Sequence, residues 1–282
     1  MILKDFLPHP SLRDFVRCYR IVHLTFDRND PPPHKPYTPR PEQCLAFYPF
    51  DREKVNFSDS HKSVANVPVA LIGQALSVTN RFIQGHFMVV QVLFQPGGLF
   101  RLTGLPSWEI NNAYMDADLV FPKEVHLVNE AFFHARSYPE IVHIANGFME
   151  QLIRRGVKDR HPADQVCQLL LANPAASLDV LAKRSFLSVK QFERKFRDRT
   201  GVNPKLFARL IRFDRAFREK NLHPGRDWLS IAIDCDYYDY QHLVRDYKEF
   251  TGMKPTAFHQ LESRSPERRF GLAEHYYETQ VV

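Results

Sequence analysis

Along the first 95 residues the apolar positions fall in short runs separated by turn-forming residues, which is the pattern of strands. The runs are Cys18–Phe26, Gln43–Phe50, Val67–Ile72, Arg81–Gly85 and Phe87–Phe94, rich in Val, Ile, Phe and Tyr. Between the first two, six of the eleven positions 31–41 are proline. Proline donates no ladder hydrogen bond, so this stretch is expected to be an extended loop outside any sheet. Pro96-Gly97-Gly98 ends the last run, and the spacing then turns helical. A short helix is expected after Ser107, with longer ones over Pro122–Ala135 and Ser137–Arg155. Ser137 and Glu140 form a capping box, and Ile141, Ile144, Ala145, Phe148 and Leu152 recur at helical spacing. Gly156–Pro162 is polar, ends in proline and looks like a linker; helical periodicity resumes beyond it to about Leu261. Residues 263–282 show no clear period and are expected to be a mobile tail.

The helical half contains an internal repeat. Ser188 through Pro204 can be set above Asp239 through Pro255, with Arg, Thr, Gly and Pro identical at matched positions. Ser188 and Asp239 are good N-caps, and Gly201 and Gly252 sit where a left-handed residue ends a helix, with Pro204 and Pro255 just beyond. At 100° per residue Val189, Phe192 and Phe196 face one side of the first helix, and Lys190, Glu193, Arg194 and Arg197 the other. In the second helix Tyr240, Leu243, Tyr247 and Phe250 oppose Gln241, His242, Arg245 and Lys248. A short apolar helix precedes each, at Leu178–Ala182 and Leu229–Ile233. A short helix, a tight turn and a capped second helix make a helix-turn-helix, and two copies in register are a far stronger signal than one.

Composition and charge narrow the function. The chain has 282 residues, 44% hydrophobic and 25% charged, and no run approaches the length of a membrane span. Its start lacks the layout of a signal peptide, so a cytoplasmic location is expected. The net charge of +6 is unevenly spread: residues 183–220 hold 13 Lys/Arg against 4 Asp/Glu, and residues 221–262 hold 4 against 7. The basic stretch is a plausible footprint for phosphates, or a solvated helical surface. Cys18, Cys44, Cys167 and Cys235 are scattered and read as free, buried thiols. Neither a nucleophile elbow nor a glycine-rich phosphate loop is present, so an enzyme is not expected and no cofactor is implied.

Residues 164–261 resemble the AraC/XylS family of bacterial transcription factors. The resemblance rests on Leu181-Ala182, Ser188–Gly201, Ala208–Ala216 and Tyr237–Lys248, while Ala70–Gln74 and Phe94–Leu99 look similar to the cupin-like sensing domains of some members. It implies an α+β chain: a small N-terminal β-barrel with a helical extension, then an all-α domain of two helix-turn-helix units joined by a long helix. The expected boundaries are a ligand-sensing and dimerisation domain at 1–156, a linker at 157–163, the DNA-binding domain at 164–262 and the tail at 263–282. The implied function is sequence-specific regulation of transcription under control of an unknown small molecule, with homodimerisation, and contact with RNA polymerase if the protein activates. A metal-dependent cupin-type enzyme fused to a DNA-binding domain and a non-specific architectural binder remain as alternatives.

The stretch Pro204–Lys220 reads as one helix roughly 25 Å long, the scale needed to set two recognition helices about one DNA turn apart in successive major grooves. Arginine donates two bonds to guanine and glutamine pairs with adenine. Arg194 and Arg245, at matched positions, are therefore the leading base readers, followed by Lys190, Gln191, Glu193, Gln241 and His242. Ser188, Lys195, Arg197 and Lys248 are assigned to phosphates. Asp236 stands in the second turn, where the family has glycine; with its acidic surroundings, this suggests that the first unit carries most of the salt-dependent affinity. Arg40, Glu42, Tyr48 and Gln91 are the pocket candidates in the first half. His34, His61 and His86 are of a residue type that binds metals, but their spacing fits no metal-site pattern, and no metal is expected.

Overall fold

The computed structural model describes every residue except 28, 30–32, 61, 122, 159, 281 and 282. Its first part is built from β1 (Ile2–Phe6), β2 (Val16–Thr25), β3 (His34–Tyr37), β4 (Cys44–Phe47), β5 (Lys54–Phe57), β6 (Ser63–Ala65), β7 (Val69–Ile72), β8 (Thr79–Phe82), β9 (His86–Phe94), α1 (Gly98–Thr103), β10 (Tyr114–Asp116), α2 (Glu124–His134) and α3 (Tyr138–Arg154). The second part is helical: α4 (Pro162–Ala172), α5 (Leu178–Arg184), α6 (Val189–Thr200), α7 (Pro204–Leu222), α8 (Trp228–Asp234), α9 (Tyr240–Thr251), α10 (Pro255–Glu262), α11 (Pro266–Arg269) and α12 (Ala273–Thr279). The α+β class expected from the sequence holds.

The strands form two sheets rather than one closed barrel: β1-β2-β9-β4-β7-β10 and β3-β8-β5-β6. The larger sheet is buried on both faces, and the alternation of β2 and β9 shows how. Tyr19, Ile21, Met88, Val90, Val92 and Phe94 join the core beneath α2 and α3, where Phe47 meets the rings of Phe132 and Phe148 edge-on. Leu24, Phe87 and Val89 face the other way, into a core shared with Val55 and Phe57 of the smaller sheet. Ser107–Ile110 forms a 3-10 turn, as its position after Pro106 suggests.

Three expectations fail, each for a tertiary reason. The proline stretch does feed a ladder, because His34–Tyr37 pairs with β8 as the outermost strand of its sheet, where the donor missing at Pro36 is least costly. In the capping box of α3, the Ser137 hydroxyl accepts from the Glu140 amide, but Glu140 reaches past the cap to accept from the Arg136 amide instead. The tail is packed: Tyr276 and Tyr277 of α12 are 2% and 3% exposed. Short strands such as β1 and β5 also went unrecognised, being too short to show a period.

The helical part has one continuous core. Leu210, Phe213 and Ala216 of α7 are fully buried, and the Phe213 ring lies 4.8 Å from Tyr247 and 5.2 Å from Phe250. The cysteines are all free and buried, and burial pushes the thiols of Cys18, Cys44 and Cys235 up to about 12.

Two outcomes follow from this packing. Phe213→Ala is expected to lower unfolding stability by about 3–5 kcal/mol, read from the urea midpoint. His23 sits 2.7 Å from His86 and 3.0 Å from the Tyr138 hydroxyl. Burial, reinforced by repulsion from His86, pulls it down to about 4. An unfolded histidine takes its proton near 6.5, so between pH 4 and 6.5 the unfolded chain binds more protons. Thermal stability should therefore fall as pH drops through that window, and less steeply in His23→Gln.

Candidate nucleic-acid interface and pocket

Each candidate recognition helix is capped at both ends. At α6 the Ser188 hydroxyl accepts from the Gln191 amide and the Gln191 side chain accepts from the Ser188 amide. At α9 the Asp239 carboxylate accepts from the His242 amide at 2.8 Å. Gly201 and Gly252 end the two helices at φ +88° and +73°, a conformation glycine adopts without strain. At Gly201 a side chain would also strike Asn111, whose amide donates to the Gly201 carbonyl at 2.8 Å.

Both turns that precede these helices pass through the left-handed region, at Phe186 (φ 56°) and Asp236 (φ 63°). The second turn is one residue longer, which leaves Tyr238 89% exposed. Asp236 is held from α7: Arg212 donates to its carbonyl and Arg215 lies 3.8 Å from its carboxylate. Arg209, also on α7, grips α9 through Asp246 at 2.7 Å and through Glu249, and Tyr237 donates to the same Asp246 at 3.0 Å.

The outward faces match the helical-wheel reading. Phe192, Phe196, Leu243, Tyr247 and Phe250 are buried, while Lys190, Glu193, Arg194, Gln241, Arg245 and Lys248 are exposed. Among the described residues neither Arg194 nor Arg245 makes a hydrogen bond or ion pair, so both guanidiniums are available. Other assigned groups already have partners: Gln191 is occupied by its cap, and His242 lies 3.1 Å from Asp239. Lys195 is half-buried. Arg197 stacks over the Trp108 ring at 5.1 Å, and Trp108 donates to Asp198 at 3.2 Å. The C-terminal end of α6 therefore rests on the first part of the chain, and the Ser107 hydroxyl donating to the Arg199 carbonyl reinforces it.

A pocket lies between the two sheets. Leu3, Val22, Leu24, Ile83, Phe87 and Val89 give it an apolar wall, and Arg20, Lys35, Arg40, Arg81 and Glu53 supply its charges. Arg20 is fixed by Asp5 and Glu42, and Arg81 by Glu53, which also accepts from Tyr48 and Tyr114. Burial disfavours ionisation of Glu42, but Arg20, Arg40 and Arg17 outweigh it and hold the carboxyl at about 2. Burial, together with the neighbouring Arg40, pulls Lys35 down to about 7. Of the pocket candidates, Arg40 and Gln91 line this cavity. Glu42 stands behind it and accepts from Arg17, Arg20 and Tyr37, while Tyr48 acts through Glu53. The sequence reading missed Lys35 and Arg81. The alternation of Lys35 and Tyr37 about Pro36 was the available signal, discounted because the prolines argued against a strand. His34 bonds to Asn80 and His86 to His23, so the structure does not gather them, and His61 lies outside the described residues.

No curated protein matches the chain. Among solved structures, ToxT from Vibrio cholerae (P21 form) is similar over 85% of this chain and 96% of that one, at 9% identity and a TM-score of 0.48. ToxT with a bound unsaturated fatty acid covers 88% and 96% at 10% identity and 0.46. The AraC-like transcriptional activator CuxR covers 68% and 71% at 12% identity and 0.25. Residues 4–116 match a domain of unknown function (DUF6597). Residues 181–260 match a helix-turn-helix domain family, and that span takes in both capped units and the helix between them. The chain carries a helix-turn-helix domain. No helix among the described residues is long and apolar enough to cross a membrane.

Neighbouring residues on α9 should separate anchoring from contact. Asp246→Ala strands Tyr237 and loosens Arg209, and is expected to cost about 3 kcal/mol in denaturant unfolding. Arg245→Ala, beside it but unpaired, should leave stability within about 0.5 kcal/mol.

Proposed function

We propose that the protein is a transcription regulator of the AraC type, that it reads a specific DNA site with α6 and α9 in two successive major grooves, and that a small molecule bound between its two sheets controls it. The carrying observation is that matched, capped helices expose Arg194 and Arg245 without partners among the described residues, while their opposite faces are locked into one core. Lys190, Glu193, Gln241 and His242 extend the reading faces, and Ser188, Lys195, Arg197 and Lys248 serve phosphates. α7, with 19 residues at about 1.5 Å each, spans roughly 28 Å, a spacing that suits successive grooves. Residues 1–156 form the sensing part, 157–163 the linker and 164–262 the DNA-binding domain. Leu127 and Phe133 of α2 are 64% and 49% exposed, which suits a homodimer formed through the helices at 122–155. If the protein activates, RNA polymerase is a further partner.

Selection of bound duplexes from a random pool tests the reading. The full-length protein should enrich a site with two boxes about one helical turn apart. Arg194→Ala should relax one box and Arg245→Ala the other, each costing about 1–3 kcal/mol on the selected site. Enrichment of no site, or equal blurring of both boxes by either variant, would sink the paired reading.

A further inference from the structure

The pocket between the sheets is already partly filled, and the filler is the end of the same chain. Glu267 of α11 and Tyr276 and Tyr277 of α12 are part of its lining. Glu267 makes an ion pair with Lys35, the Arg20 guanidinium lies 5.6 Å from the centre of the Tyr276 ring, and the Phe270 ring sits 5.4 Å from Phe26. The space left is about 60 Å³, against the roughly 300–1,000 Å³ of sites that hold organic ligands. An effector cannot enter unless these side chains leave.

The fit of this filler is incomplete. Among the described residues the buried Tyr276 hydroxyl has no hydrogen-bond partner, and neither has Nε of Arg81. A buried polar group without a partner disfavours the state that holds it, so a ligand satisfying these atoms has an advantage over the tail. The tail is also a tether. α12 packs on β1 on one side and on α7 on the other, where Tyr277 meets the Phe217 ring at 6.1 Å. Arg268 ties α11 to Glu262 at 3.0 Å and to Asn221 of α7. Beside it, Arg40 on the pocket wall lies 3.7 Å from Asp214 of α7. Whatever fills the pocket is thus coupled directly to the helix that holds both DNA-reading units.

We propose that residues 266–279 act as an internal plug: they occupy the effector's place between the sheets, compete with it, and fasten α7 to the sheets until it displaces them. This inference rests on the sensing role proposed above. The plug presents one carboxylate, that of Glu267, and the rings of Tyr276 and Tyr277 to the pocket, so a suitable probe is 1-anilinonaphthalene-8-sulfonate, which carries one anion and aromatic rings of its own.

The test titrates this probe into three full-length proteins: the wild type, the triple variant Glu267→Gln/Tyr276→Ser/Tyr277→Ser, and the triple variant with Lys35→Met added. A fourth protein carries a protease site between the exposed Ser263 and Arg264, so that the plug is severed only after folding. Thermal melts and near-ultraviolet circular dichroism establish that each is folded, because loosened proteins bind this probe at many sites. The triple variant and the severed protein should bind one probe at least tenfold more tightly than the wild type, and Lys35→Met should remove the gain. In the wild type, saturating probe should speed hydrogen exchange in 273–279 and in α7. One-to-one binding of equal strength to wild type, triple variant and severed protein, with exchange in 273–279 unchanged, would overturn the plug while leaving the sensing pocket intact. Folded proteins that bind no probe at all would instead remove the sensing pocket on which the plug depends.

Discussion

Each helix-turn-helix unit here is too small to bury a core of its own, and the shared burial of α7 is the constraint on which the rest of the second half depends. Phe207, Leu210, Ile211, Phe213 and Phe217 are all buried, and between them they serve the side facing α6 and the side facing α9. Because α6 and α9 both pack on this one element, their separation and relative orientation are set by side-chain packing rather than by a flexible linker. The Arg209–Asp246–Tyr237 cluster, half-buried at Arg209 and buried at the other two, adds direction to that packing, since a guanidinium fork donates to a carboxylate in few geometries.

α7 is also where the two parts of the molecule meet. Asp214 faces Arg40 on the pocket wall, α12 lies between α7 and β1, and the far end of α6 rests on Trp108 and Asn111. A change at the pocket and a change in the spacing of α6 and α9 are therefore mechanically connected through a few contacts. The packing has little slack, since protein interiors are as dense as organic crystals.

The distribution of charge shows why position along the chain misleads. Counted along the sequence, the basic excess belongs to the first unit and the acidic excess to the second. In the structure Arg209, Arg212 and Arg215, all counted with the first, turn toward Asp246, Glu249 and Asp236 of the second. Arg226 pairs with Asp234 and so reduces the acidic surface further. The contrast between the units is smaller in space than along the chain, because a helix in the middle lends its side chains to both.

The sequence by itself determined the helical half almost element by element. Caps, left-handed terminators and apolar spacing are local physics, so Ser188, Gly201, Asp239 and Gly252 mark their helices without knowledge of the rest of the chain. The outward placement of Arg194 and Arg245 follows from the same 100° rotation, and most long strands declared themselves by composition. Tertiary structure decided what depends on partners distant in sequence. The proline stretch became an edge strand because β8 supplied the ladder. Lys35 and Arg81 entered the pocket because two sheets closed over them. The patternless tail became ordered because a groove between β1 and α7 was there to bury two tyrosines. A seven-residue helix such as α12 has too little internal cooperativity to announce itself, and only the surface it covers makes it fold.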